Sequence, residues 1–140
     1  MTAAPPGTFL DRLSAATNAH DLDALVDCFT PDYRLSQPAH PSRSFSGSAQ
    51  VRANWQQIFA FVPDLRATVT DCAVTGSTVW SEWEMRGRRR DGSPHHMCGV
   101  MIFGVQGERA EWGRFYLEPV DDDAVGVDEA IRTQMHRETT

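Results

Sequence analysis

Pro63 divides the chain into two hydrophobic rhythms, and this division limits the possible folds more than any other feature of the sequence. Upstream, apolar residues recur at helical spacing. The first group is Phe9, Leu10, Leu13 and Ala16, the second Leu22, Leu25, Val26 and Phe29, the third Val51, Trp55, Ile58, Phe59 and Val62. Downstream the period is two, over residues 65–74, 78–87, 95–105 and 109–118. Thr75-Gly76-Ser77, Asp91-Gly92 and Gly107 separate these stretches with residues that favour tight turns. Sequential strands joined by short turns predict an antiparallel meander, and three helices before it predict an α+β architecture.

The boundaries follow from local chemistry. Thr8 is placed to cap the first helix, with Asp11 in its first turn, and Asn18–Asp21 ends it. A second helix is predicted from about Asp21 to Phe29, stopped by Pro31 and Asp32. Tyr33–Gln37 reads as a short strand and Pro38–Gly47 as a loop, after which Ser48 caps a long helix that Pro63 terminates. Residues 1–7 are expected to fray. The acidic run Asp121–Asp123 leads into a tail with Val127, Ile131 and Met135 at helical spacing, which predicts a weak helix, a lid over a site, or a disordered segment.

Composition narrows the function. With 140 residues, 41% of them hydrophobic, the chain has material for one domain, expected over 1–140 with its core at about 8–118 and an acidic tail at 119–140. The 13 cationic residues are all arginine, which excludes lysine Schiff-base chemistry and the lysine-dependent phosphate loop. A formal charge of −6 argues against nucleic-acid binding, which needs a basic face to displace counterions. No apolar run reaches the roughly 18 residues that a membrane span needs, and the first residues lack the pattern of a signal peptide. Three cysteines without paired spacing, Cys28, Cys72 and Cys98, fit a reducing cytoplasm. No glycine-rich nucleotide loop and no metal-ligand spacing is present, so neither cofactor nor metal is expected.

Several segments together resemble the SnoaL-like branch of the nuclear transport factor 2-like superfamily: ATNAHDLDALVDCFTPDY, SAQVRANWQQIF, VTGSTVWSEWEMRG, HHMCGVMIFGV and the closing EWGRFYLEPVD, over roughly residues 8–120. The resemblance implies a cone-shaped, curved antiparallel sheet wrapped around the helices, with an apolar pocket at its open end. It also implies frequent homodimers through the outer sheet face. The activities of the family include polyketide cyclases, ketosteroid isomerases and limonene-type epoxide hydrolases, alongside non-enzymatic binding members. The expected function is therefore a cofactor-independent cyclase, isomerase or epoxide-type hydrolase acting on a small hydrophobic polyketide-, steroid- or terpenoid-like substrate. The alternative is a non-catalytic binding or dimerisation module.

Two of these catalytic sets do not transfer. The arginine and aspartate of the epoxide hydrolases correspond to Trp83 and Met85, and their acid on the last strand to Arg114. The aspartate before proline of the isomerases corresponds to Gln37, which cannot accept a proton at neutral pH. The resemblance directs the face with Trp112, Arg114 and Tyr116 into the pocket, together with Trp83 and Met85. Tyr33, Trp55, Phe59 and Cys98 complete the expected substrate-binding set.

The expected chemistry has alternatives. His96 is a general base or the exposed end of a hairpin, and zinc binding through His96 and Cys98 lacks further ligands. Asp71 is a base raised by apolar neighbours, or a surface acid at a strand end. Arg114 either pairs with Glu82, Glu111 or Asp71 or steadies an oxyanion, and Tyr116 donates to a substrate oxygen or packs at the rim. Glu82 and Glu84 are an acid–base pair or a solvated, dimer-facing surface, and the Arg86–Arg90 run is a solvated hairpin. In the expected mechanism His96 or Asp71 takes a proton or activates water, while Arg114 and Tyr116 stabilise the developing charge.

Overall fold

A computed structural model describes residues 6–139. The predicted lead-in at 1–7 falls almost wholly outside them. Helix α1 (Pro6–Asn18) and the short α2 (Leu22–Val26) precede strand β1 (Phe29–Ser36). A single 3₁₀ turn (Pro41–Arg43) and the two-residue β2 (Phe45–Ser46) lead to α3 (Ser48–Phe61). The meander follows as β3 (Arg66–Thr75), β4 (Thr78–Arg88), β5 (Pro94–Gln106) and β6 (Arg109–Pro119), and α4 (Val127–Thr139) closes the chain.

The six strands form one curved sheet in the order β2-β1-β6-β5-β4-β3. The meander pairs antiparallel throughout, whereas β1 runs parallel to β6. This is the predicted α+β class. The second helix is shorter than its periodicity predicts, because Phe29 leaves it to start β1 and packs edge-on against Tyr33, ring centroids 4.7 Å apart. The apolar spacing of Phe29 suits a strand facing the core as well as it suits a helix. Asp21 caps α2 by accepting the Ala24 N–H at 3.1 Å. Strand β2 lies inside the predicted loop.

Helix α1 lies over β3, burying Phe9, Leu10, Leu13 and Ala16. Phe9 meets Phe103 edge-on, with centroids 4.9 Å apart. At the end of α1, Asn18 donates to Ala67 O at 2.9 Å and accepts Ala67 N–H at 2.7 Å. The helix thus satisfies a backbone pair of the edge strand, where free groups would invite pairing with another chain. His20, in a left-handed conformation (φ 54°), bonds Leu65 O at 2.8 Å and stacks on Phe59. The tail resolves as α4, with Val127 and Ile131 exposed.

Register decides which face each meander residue takes. Directly opposed residues share a face. Ser81 opposes Met101, which opposes Phe115; Trp83 opposes Gly99, which opposes Leu117. Phe115 and Leu117 therefore follow Trp83 and Met85 to the concave side. Trp80, Ile102 and Arg114 line up on the convex side, as do Glu82, Val100 and Tyr116. The expectation that Trp112, Arg114 and Tyr116 look inward is corrected by this register. Gly99 lets the long β5 bend: its φ is +155°, and a Cβ there would stand 2.0 Å from Tyr116 O.

Candidate functional site

A cavity of about 450 Å³ opens between α3 and the concave face of the sheet. Helix α3 contributes Val51, Trp55 and Ile58, from the face that its spacing predicts, together with Asn54 and Phe61, which flank it. Tyr33 and Leu35 enter from β1, and Met85 from β4. Met97 and Met101 of β5 and Phe115 and Leu117 of β6 complete an apolar wall. The polar lining is sparse: Gln37 and Arg43 from the β1–β2 connection, Asn54, and His95 at the start of β5. Among the described residues no carboxylate lines the cavity. A volume of this size, mostly apolar with a few polar groups, is the usual form of a small-molecule site.

His95 is the side chain in this lining that can take up a proton near neutral pH. Its Nδ1 is buried without a hydrogen-bond partner, and Phe61 meets its ring edge-on with centroids 6.5 Å apart. Burial, and next the charge of Arg89, hold its pKa below the ordinary histidine value. The ring is therefore a neutral imidazole at pH 7, which can accept a proton. The Arg89 guanidinium sits 5.5 Å from the Phe61 ring centroid, and Phe61 O accepts the Arg90 N–H at 3.2 Å. The β4–β5 hairpin is thus fastened to the end of α3 beside the histidine.

Tyr33 is the second notable group. It is 1% exposed, its hydroxyl has no partner, and burial pushes its phenol well above the ordinary tyrosine range. The hydroxyl nests against Gly113, where a Cβ would lie 2.2 Å away.

The structure divides the residues singled out from the sequence. Tyr33, Trp55 and Met85 line the cavity. Trp83 is buried beneath it, its indole donating to Ser81 Oγ at 2.8 Å while Ser81 Oγ donates to Met101 O at 2.6 Å. Phe59 packs sideways between Trp55 and His20. His96 lies on the convex face, 3.4 Å from the Glu84 carboxylate, because it is one residue out of phase with His95. The Glu84 carboxylate also accepts a bond from Arg86, the main reason its pKa is held below the usual carboxylate range. Asp71 is exposed at a β-bulge, where it accepts the Cys72 N–H at 2.8 Å. Cys98 is exposed, Tyr116 is 43% exposed, and Arg114 lies against the Trp112 indole at 5.5 Å, all on the convex side.

His95, Met97, Met101, Phe115, Leu117, Gln37, Arg43 and Asn54 were not expected in the lining. The signal was present for the last strand: Gly113, Phe115 and Leu117 form its more apolar face, against Trp112, Arg114 and Tyr116. The resemblance places Gln37 at the position of the isomerases' aspartate; nothing in the spacing marks Arg43, which the connection after β1 brings to the lining, or Asn54 of α3. Among the described residues no three His, Cys, Asp or Glu side chains gather as a metal site would require. No described helix is long and apolar enough to cross a membrane.

A curved meander closed over a long helix, with an apolar hollow between, defines the nuclear transport factor 2-like, ketosteroid isomerase-like class. Residues 10–111 match the family model of the SnoaL-like domain, and the chain belongs to that family. Among solved structures it is similar to IdmH of Streptomyces antibioticus, a proposed polyketide cyclase: 24% identity over 82% of this chain and 93% of that one, TM-score 0.72. It is also similar to a proposed SnoaL-like polyketide cyclase of Jannaschia sp. CCS1, at 19% identity, covering 84% and 91% of the two chains, TM-score 0.70. AclR of Streptomyces galilaeus, a proposed hydroxylase, shares the fold at 14% identity, 84% and 91% coverage and TM-score 0.72. No curated protein sequence matches the chain significantly.

Proposed function

We propose that this chain is a cofactor-independent SnoaL-like enzyme, with His95 as its general base, acting on a small hydrophobic substrate of polyketide, steroid or terpenoid type. The observation that carries this reading is a partly buried imidazole, its Nδ1 without a partner and its pKa lowered chiefly by burial, in the wall of a mostly apolar cavity. Such a base accepts a proton from a carbon beside a carbonyl, leaving an enolate. Returning the proton to another carbon is an isomerisation, and attack of the enolate on a second carbonyl is a cyclisation. Taking the proton from water instead gives hydrolysis. The Tyr33 ring lines the cavity, while its hydroxyl is sealed against Gly113 and takes no part in this mechanism. His96, Asp71, Arg114 and Tyr116 take no part in this mechanism, since they stand outside the cavity.

The test is deuterium exchange at the activated carbon of a cyclic 1,3-diketone or β-keto ester, followed by NMR. The wild type accelerates exchange, and His95→Gln abolishes the acceleration while keeping the native circular dichroism. Undiminished exchange by the variant would exclude His95 as the base.

Among the described residues the lining holds no carboxylate, which favours a second reading, a binding module that holds its ligand without converting it. Retention of a ligand in native mass spectrometry with no exchange activity on any substrate of this class is its signature. The convex face supports homodimerisation under either reading. Arg34 and Arg114 stand on its β1–β6 side and Glu82 on its β4 side, so a two-fold partner can match opposite charges.

A further inference from the structure

The charges around the cavity do not follow the charge of the chain. The protein carries −6, yet the lining contains one formal charge, the cation Arg43. Among the described residues the ion pairs engage Arg12, Arg52, Arg86 and Arg109, besides His40 and His96, and none engages Arg43, Arg88, Arg89 or Arg90. The last three belong to the hairpin fastened beside Phe61 and His95. Asp91 lies in the turn of that hairpin, near enough for the charge of Arg89 to help lower its pKa, and Asp64 accepts the Arg88 backbone N–H at 2.7 Å. Arg43 is thus the cation of the lining, and no ion pair among the described residues engages it.

Arg43 is held by its loop. Arg43 N–H donates to His40 O at 2.9 Å, and Gln37 N–H donates to Ser44 Oγ at 3.1 Å. The His40 ring pairs with Glu118 of β6 at 2.6 Å, so the loop is tied to the end of the sheet and Glu118 is occupied there. Asn54 and Phe61, on the same lining face of α3, are seven residues apart, roughly 10 Å along the helix axis. Between them lie Trp55, Ile58 and the methionine wall.

We propose that the ligand of this cavity is an apolar carboxylate: its ring body lies among Trp55, Ile58, Met97 and Phe115, and its carboxylate pairs with Arg43 at the mouth. The proposal rests on the reading of the cavity as a ligand site and adds the chemical class of the ligand. A planar guanidinium offers paired donors to a carboxylate, and in a lining without a carboxylate among the described residues Arg43 has no competing anion. Arg43 is exposed, so the pair keeps part of its hydration and contributes modestly, mainly to selectivity.

The test compares 2-naphthoate with its methyl ester, titrated by calorimetry and by quenching of tryptophan fluorescence, at low and high salt. The wild type is expected to bind the acid about fivefold more tightly than the ester at low salt. Arg43→Gln should remove that preference by weakening the acid alone, high salt should do the same, and Arg66→Gln should leave it intact. Equal binding of acid and ester by the wild type, or a preference that survives Arg43→Gln, overturns the proposal while the cavity stands as a ligand site. Binding of neither probe overturns both.

Discussion

The contact between Tyr33 and Gly113 supports a quantitative prediction about how the cavity wall is built. Replacing Gly113 with alanine places a methyl carbon 2.2 Å from the Tyr33 oxygen and 3.2 Å from its Cζ. The first distance is more than about 1 Å inside an ordinary contact, the second only slightly tight. The phenol cannot retreat freely, because Phe29 packs edge-on against it at 4.7 Å and Phe45 at 6.3 Å. Overpacking of this kind costs about 1–3 kcal/mol. Tyr33→Phe alone removes a buried hydroxyl without a partner, so stability is unchanged or rises by about 1 kcal/mol. In Tyr33→Phe/Gly113→Ala the nearest contact becomes the tolerable one, and most of the loss is recovered. Urea unfolding of the four proteins, followed by tryptophan fluorescence, gives the coupling, expected at about 1–2 kcal/mol. Additive single effects, or a neutral Gly113→Ala, would refute the argument that the hydroxyl occupies the place of the missing side chain.

Other consequences are more direct. Because the folded-state pKa of His95 lies below the ordinary value, kcat/KM should stay level as pH falls past about 6.5 and decline only below it. Phe61→Ala, which wets the ring, should move that decline to higher pH by more than Arg89→Gln, since burial is the larger cause. The same depression means that the unfolded chain takes up the proton first. Stability contributed by neutral His95 is therefore lost as pH falls from about 6.5 toward the folded-state value, and His95→Gln should flatten that component in pH-dependent urea melts. Asn18→Ala leaves the Ala67 N–H and C=O without their partners and should cost about 1–3 kcal/mol, with faster amide exchange along β3. Gly99→Ala forces a side chain into a backbone oxygen at 2.0 Å and should lower the thermal midpoint more than Gly113→Ala does.

Most of the architecture was legible because it depends on features with strong local causes. The α3 face through Val51, Trp55, Ile58 and Val62 and the Asp91-Gly92 turn are determined by spacing and turn chemistry, and both are present. Phe29 was misplaced because one apolar residue at a helix–strand boundary satisfies both periods. Which face of β6 looks inward is a different kind of question. Alternation alone yields two mirror assignments; the more apolar pair Phe115 and Leu117 favours one, and pairing with β5 fixes it, through Phe115 opposite Met101 and Leu117 opposite Gly99. The same pairing has two effects at once. It takes Arg114 and Tyr116 to the convex side, and it leaves the concave side of β6 with no polar side chain beyond Gly113. At the start of β5 the alternation separates adjacent histidines, sending His96 to Glu84 in solvent and His95 to Phe61 in the cavity. The register thus sets which histidine lines the cavity and which charges lie on the convex side. Any substitution that slips β5 by one residue would exchange His95 for His96 at the site and turn Met97 and Met101 out of the cavity, so loss of the apolar wall and loss of the His96–Glu84 pair should appear in the same variants.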